Sequence, residues 1–330
     1  MAGYLATAPG QPAPILVSEG RTYPVDIRWA EYGDQRPASE QAADAVEQIV
    51  RGGCDGDVLV FMPGMGEILS TLNALRSAHL GEPCVMLPLH GDLAPEDQDR
   101  AFAPFPQRKI VVATNVAETS ITIDGIRHVV DAGLARIARH DAERGIQTLA
   151  VEPISRASAD QRAGRAGRTA PGTCWRLWTE SAHLDRPPRN TPEIQRADLA
   201  EVVLLLHSLG VRDAVQFDWL DKPDPEAVAR AERLLRILGA LDADPGGSGS
   251  DLTPVGRQML RLPMHPRYSR LLVEASRRDC VPAAALCAAL TGGRDLLVRL
   301  GREDVAVREA RELFEASRLS RSEEPRLNSS

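Results

Sequence analysis

Short runs of β-branched and other apolar residues recur along the first half of the chain, separated by segments whose apolar positions fall three and four apart. The runs are 57–62 (DVLVFM), 84–89 (CVMLPL), 109–114 (KIVVAT) and 127–131 (RHVVD). Around them, Ala42, Val46, Ile49 and Val50, and then Ile68, Leu72 and Leu75, mark helices, the first opening near Ser39 and closing at Gly52 and Gly53. Strands that are apolar at nearly every position need cover on both faces, which predicts a parallel sheet flanked by helices. Ligands of such sheets gather at the carboxyl ends of the strands. There each run passes into a polar or glycine-rich loop: Pro63 and Gly64, 90–92 (HGD), 115–119 and then Ala132 and Gly133.

The pattern changes on either side of this region. Residues 1–38 carry no sustained periodicity, and Ile15, Leu16 and Val17 form the one convincing strand seed there. Residues 134–153 read as two strands around 141–145, a long hairpin. Leucine-rich helices follow at 199–209 and 227–241, then a turn-rich stretch at 242–250, then further helical spacing from 255 to about 319.

Composition narrows the picture. A chain of 330 residues, 43% hydrophobic and 26% charged, has material for two or three folded domains. The 46 acidic residues outnumber the 39 basic ones, for a net charge of -7, so any nucleic-acid contact has to be local. The basic residues are almost all arginine, with lysine only at Lys109 and Lys222, and alanine is abundant, which points to a GC-rich bacterial source. The five cysteines form no C-x-x-C pair and the seven histidines no H-x-x-x-H pair, so reduced thiols and no metal site are expected. The chain has neither a signal-like start nor a run of about 20 apolar residues, so a cytoplasmic protein without a membrane partner is expected.

Two segments carry candidate chemistry. In 158–168 (SADQRAGRAGR), Gln161, Arg165 and Arg168 stand at i, i+4 and i+7, so a helix opening here sets them on one face. A planar guanidinium makes paired hydrogen bonds to phosphate oxygens, and two of them neutralise charge building on a transferring γ-phosphoryl group. The glycines between them would leave that face bare for a ligand or a facing domain. Alone, the segment is equally compatible with a solvated arginine-rich helix or with a grip on an RNA backbone. In 113–125 (ATNVAETSITIDG), an apolar strand runs into hydroxyl-rich positions suited to phosphates and sugar hydroxyls. Alone, it also reads as an ordinary connection whose Thr and Ser cap the next element.

Taken in order, these segments resemble the DEAH-box group of superfamily 2 helicases, and the HrpB type in particular. Residues 58–64 (VLVFMPG) resemble the group's motif IV and 114–125 its motif V, while 161–168 match its motif VI, Q-R-x-G-R-A-G-R, at every specified position. The likeness continues through 171–178 (PGTCWRLW) and 191–199 (TPEIQRADL). Residues 217–223 (FDWLDKP), 231–241 (AERLLRILGAL) and 262–267 (LPMHPR) extend it toward the HrpB type, so that it spans about 15–319.

The resemblance implies an α/β fold, a RecA-like parallel sheet with helices on both faces at 39–190, followed by a winged-helix domain at 191–262 and a partial all-α ratchet-like domain at 263–320. Residues 1–38 would lead in from a first RecA-like domain. Residues 321–330 break the helical pattern and begin with the Arg-Ser-Glu-Glu that sequencing-adapter DNA encodes, so a non-native tail is expected there. ATP would be shared with the first RecA-like domain, and Mg2+ would be held through that domain only. Gln161 would orient the attacking water, Arg165 and Arg168 would be arginine fingers on the γ-phosphate, and Asp124 would bind the ribose. Gly64, Thr114 and Asn115 would touch the nucleic-acid backbone, and 134–153 would be the strand-separating hairpin. The implied partners are single-stranded or partly duplex nucleic acid, RNA before DNA, and the first RecA-like domain of the same parent protein, the whole acting as a monomer.

The phosphate cradle of this mechanism, G-x-x-x-x-G-K-[ST], does not occur, because neither Lys109 nor Lys222 follows a glycine, and there is no Asp-Glu-x-His. The leading expectation is the C-terminal part of an ATP-dependent helicase that does not hydrolyse ATP by itself. A non-catalytic nucleic-acid-binding module and a separately encoded half of a split helicase remain open beside it.

Overall fold

In the computed structural model the described residues are 2–6, 11–17, 23–118, 122–141, 146–242 and 252–292, with 146, 147 and 292 described by backbone alone. Positions 119–121, the hairpin turn at 142–145, all but the first residue of the turn-rich stretch at 242–250, and the helical spacing and tail expected beyond 292 lie outside them. The chain divides into two compact units, one of residues 1–198 and 219–222, the other of 199–218 and 223–330.

The first unit contains eight strands among its described residues: β1 (Val25–Trp29), β2 (Asp57–Phe61), β3 (Cys84–Leu89), β4 (Arg108–Ala113), β5 (Ile126–Asp131), β6 (Leu134–Asp141), β7 (Ile146–Pro153) and β8 (Gly172–Arg176). Six of them make one sheet in the order β1-β8-β5-β2-β4-β3, every pairing parallel, and β6 and β7 form a separate antiparallel hairpin. Helices α1 (Ala38–Arg51), α2 (Met65–Ser77), α3 (Pro95–Asp99), α4 (Arg156–Ala163) and α5 (Glu180–Leu184) complete the unit. The expected RecA-like architecture is therefore present.

Alternation along the central strands explains the two-sided burial. Val58, Val60, Met62, Ile110, Val112 and Val130 join the cluster that includes Ala42, Val46, Ile68 and Leu72 of α1 and α2. Their neighbours Leu59, Phe61, Val111, Ala113 and Val129 face the opposite cluster, with Ala163 and Ala166. Each such Val or Leu side chain contributes about 1.5–3 kcal/mol by leaving water.

Two expectations are corrected. The first helix begins behind Pro37, with no side-chain cap, so Ser39 lies inside its first turn rather than at its cap. At the other end the closing glycine pair is as expected, Gly53 taking φ +66°. The N-terminal strand is Val25–Trp29, not the run at Ile15, Leu16 and Val17, which is irregular and 74%, 95% and 81% exposed. An edge strand alternates; here Val25, Ile27 and Trp29 point one way and the charged Asp26 and Arg28 the other, which reads as weak in sequence yet pairs with β8 along its whole length.

The second unit contains α6 (Ala200–Ser208), α7 (Pro225–Ile237), α8 (Pro254–Met259), α9 (Pro266–Arg277) and α10 (Val281–Gly292), with an antiparallel bridge between Leu241 and Leu252. α7, α8 and α9 each start with a proline behind a side-chain cap, from Asp224, Thr253 and His265 respectively. Among the described residues no helix is long and apolar enough to cross a membrane.

Candidate functional site

α4 opens behind Ser155, whose hydroxyl accepts the backbone N–H of Ser158, and it ends at Ala163. Gln161, Arg165 and Arg168 therefore do not share one helical face. Beyond Ala163 the chain tightens into turns in which Arg165, Ala166 and Gly167 donate backbone N–H bonds to the carbonyls of Arg162, Ala163 and Gly164, at 3.1, 3.0 and 3.3 Å. Bonds of this i→i+3 kind bring residues three apart into line. The row that results is Arg162, Arg165 and Arg168, and all three reach the segment following β4. Arg162 Nε donates to Glu118 Oε2 at 3.0 Å, Arg165 Nε donates to the Glu118 carbonyl at 3.0 Å, and Arg168 Nη1 donates to Thr122 Oγ1. Gln161 lies exposed beside the row.

Sequence reasoning overlooked Arg162, which is fully buried and turns out to be the hub. Its Nη1 donates to Asp131 Oδ1 at 2.8 Å and to the Leu134 carbonyl at 3.3 Å, and its guanidinium lies 4.8 Å from the Phe61 ring centroid. Ser158 Oγ donates to the other oxygen of Glu118 at 2.5 Å, and Asp131 Oδ1 also accepts the Gly133 N–H at 2.8 Å. Burial alone would weaken the charge on Arg162, but Asp131 and Glu118 together outweigh it and hold its pKa above the ordinary value.

Arg165 is 6% exposed. Its guanidinium is held below its ordinary value by burial first and by the charge of Arg168 next, with Glu118 opposing both. Gly164 is exposed, a Cβ there meeting only the Asp160 and Gln161 carbonyls at 3.4 Å, but Gly167 does not leave the row bare. A Cβ on Gly167 would lie 2.5 Å from the Tyr23 carbonyl oxygen and 2.7 Å from Val25 Cγ2, so its missing side chain admits the chain's own 23–25 segment.

The expected nucleic-acid contacts occupy the carboxyl edge of the same sheet, whereas Asp124 stands at its amino edge, just ahead of β5 and beside the start of β2. Gly64 follows β2 as the cap of α2, and a Cβ there would lie 2.5 Å from Arg136 Nε, so the hairpin's arginine covers it. Arg136 also pairs with Glu67 at 3.6 Å. Thr114 is 6% exposed and largely closed off, whereas Asn115 stands exposed at the start of a single turn. Asp124 is exposed beside Gly125, whose φ of +87° turns the chain into β5.

The hairpin is in register from Leu134 opposite Pro153 to Asp141 opposite Ile146. Its base is held by a second residue that no motif announced. Arg186 Nη1 donates to the carbonyls of Gly133 and Ile154, one on each strand's approach, at 2.7 and 3.0 Å, while its guanidinium lies 4.2 Å from the Trp178 ring centroid. Gly133, at φ +71°, fits beneath this pair: a Cβ would meet Arg186 Nη2 at 2.5 Å and Trp178 at 2.6 Å. Higher up, Arg196 Nη1 donates to the Ala138 carbonyl at 2.7 Å, and His140 N–H donates to the Arg196 carbonyl at 2.9 Å.

Residues 41–170 match the family described as the helicase conserved C-terminal domain, and 231–264 match the winged-helix helicase-associated domain HA2. The ATP-dependent RNA helicase HrpA of Escherichia coli K12 is 42% identical over 279 residues, 83% of this chain and 21% of that protein. The chain is homologous to HrpA- and HrpB-type DEAH helicases over their helicase C-terminal region. The pre-mRNA-splicing factor ATP-dependent RNA helicase prp22 of Schizosaccharomyces pombe is 42% identical over 81% of this chain and 23% of its own length. The crystal structure of the Escherichia coli DEAH/RHA helicase HrpB superposes with a TM-score of 0.78 at 37% identity, covering 90% of this chain and 37% of that one. This chain thus spans between a fifth and a quarter of the curated relatives' length.

Proposed function

We propose that this chain supplies the second half of an ATP site and part of the nucleic-acid path of an RNA helicase. The supporting observation is the placement of Arg165 and Arg168 on one short segment, where the charge of Arg168 acts on the buried Arg165. Like charges held together are stabilised by an anion between or beside them, and a nucleoside triphosphate delivered by a facing RecA-like domain is such an anion. ATP fits the donor set. Arg168, exposed, would reach the γ-phosphate, Arg165 would follow it, Gln161 would hold the attacking water, and the open carboxylate of Asp124 would take the ribose hydroxyls. The bound Mg2+ would be held by the facing domain.

Asn115 and Gly64 would touch the nucleic-acid backbone, Gly64 only once Arg136 moves aside, and the β6–β7 hairpin would part the strands. On this reading residues 39–190 form the second RecA-like domain, 191–262 the winged helix and 263–320 the start of a ratchet-like domain.

The test is reconstitution. The 330-residue chain, mixed with a separately made first RecA-like domain from a DEAH-type helicase, is expected to turn over ATP faster with single-stranded RNA, and Arg168→Ala is expected to cost about 10³-fold. Steady phosphate release by the chain alone, or full activity of the Arg168→Ala mixture, would contradict this reading.

A further inference from the structure

We propose that a cavity of about 440 Å³ between the hairpin and the 187–196 segment receives one nucleotide of a single-stranded RNA, its phosphate on Arg189 and its base against the apolar lining. The volume lies within the range of about 300–1,000 Å³ typical of small-ligand sites. The proposal rests on the nucleic-acid reading above but adds a site that none of the helicase motifs contributes on its own. The cavity's lining includes Asn115, the open residue at the carboxyl end of β4, so a strand tracked by Asn115 passes beside the cavity.

The lining suits a flat heterocycle with apolar faces and polar edges. Ile137, Leu149 and Pro187 offer apolar surface, Leu149 being 66% exposed on its strand, and Asn190 and Thr191 offer donors and acceptors. Charge in the cavity favours an anion despite the acidic chain. Four lining arginines, Arg136, Arg139, Arg189 and Arg196, face three lining acids, of which Glu152 is paired with Arg139 at 2.6 Å and Glu118 shares the buried Arg162 with Asp131. The third acid, Glu193, stands against Arg189 and Arg196, with Arg136 shared with Glu67. Arg189 is exposed and has no ion-pair partner among the described residues. Two of the first backbone N–H groups of α4, those of Arg156 and Ala157, are satisfied by the carbonyls of Pro187 and Pro188, so the anion is left to the side chains.

The experiment is binding of a short fluorescent oligouridine to the 330-residue chain, followed by anisotropy between about 50 and 200 mM salt. Arg189→Ala is expected to weaken binding about tenfold and to reduce the slope of log affinity against log salt by about one, with Arg189→Lys restoring the slope. An oligonucleotide carrying a single abasic residue, moved along its length, is expected to bind less well at one position, and Thr191→Trp, which fills the cavity from an exposed site, is expected to abolish that sensitivity. Unchanged affinity and slope in Arg189→Ala would overturn the proposal. So would a changed slope with no sensitive position, which leaves a phosphate grip without a base site. In both cases the chain still binds RNA and the broader reading stands; failure of the unmutated chain to bind RNA at all would remove both.

Discussion

Arg162 and Arg168 stand two turns apart in one row, carry the same side chain and belong to the same motif, yet their surroundings are opposite. Arg162 is sealed, its guanidinium shared by two carboxylates and backed by an aromatic ring. Arg168 is exposed and holds a hydroxyl. The difference separates two uses of one residue type. A buried cation whose charge is met inside the fold is out of a ligand's reach, whereas an exposed cation beside another cation is open to one. Arg162 is therefore a fastening between β5, α4 and the Glu118 segment, and Arg168 is the one of the two left open to solvent.

Mutations break this contrast in descending order of effect. Arg162→Met should destabilise the first unit by about 3–5 kcal/mol, measured by urea unfolding, because it strands Asp131 and Glu118 without their cation. Adding Asp131→Asn should recover part of that loss. A double mutant no more stable than Arg162→Met would show the pair is not the source.

Arg186→Met should cost about 1–3 kcal/mol through the two carbonyls it leaves unmet, and amide hydrogen exchange should rise in β6 and β7 while β2 and β4 stay protected. Uniform exchange across the unit would instead mean the clamp is not local. Gly133→Ala should act in the same direction, since its backbone conformation and the space beneath Arg186 both exclude a side chain.

A smaller effect comes from His128, whose ring bridges Thr173 and the Asp55 carbonyl. Burial, opposed by the Asp55 carbonyl and aided by Arg108, Arg127 and Arg28, holds it below its ordinary value of 6.5. The unfolded chain then takes up this proton first as pH falls, so the contribution is whole above 6.5 and is lost as pH drops toward the folded value. The urea midpoint should fall with acidification, less steeply in His128→Gln. Least of all, Arg168→Ala should leave stability within about 0.5 kcal/mol while removing nucleotide-dependent function.

The central strands were legible because burial on both faces writes itself as unbroken apolar runs, and the hairpin because two strands flank a polar turn. Val25–Trp29 was not, since an edge strand spends alternate positions on charge. Within 161–168 the motif marked the right stretch but not the division of labour. Helical spacing grouped Gln161 with Arg165 and Arg168, whereas the turns after Gly164 grouped Arg162 with them. Whether an arginine is sealed depends on Asp131 and Phe61, more than 30 residues distant, and no local pattern carries that. Arg186 was invisible for the same reason, its partners being main-chain carbonyls.

The tie between Arg186, Gly133 and Trp178 leaves the hairpin no soft joint at its root. Eight residues of β6, at roughly 3.3 Å each, make a stiff arm of about 26 Å fixed to the sheet. An arm of that length magnifies small tilts: a rocking of the sheet by only about 7.5° would carry its far end through roughly 3.4 Å, the axial spacing of successive charges along one strand of a DNA duplex.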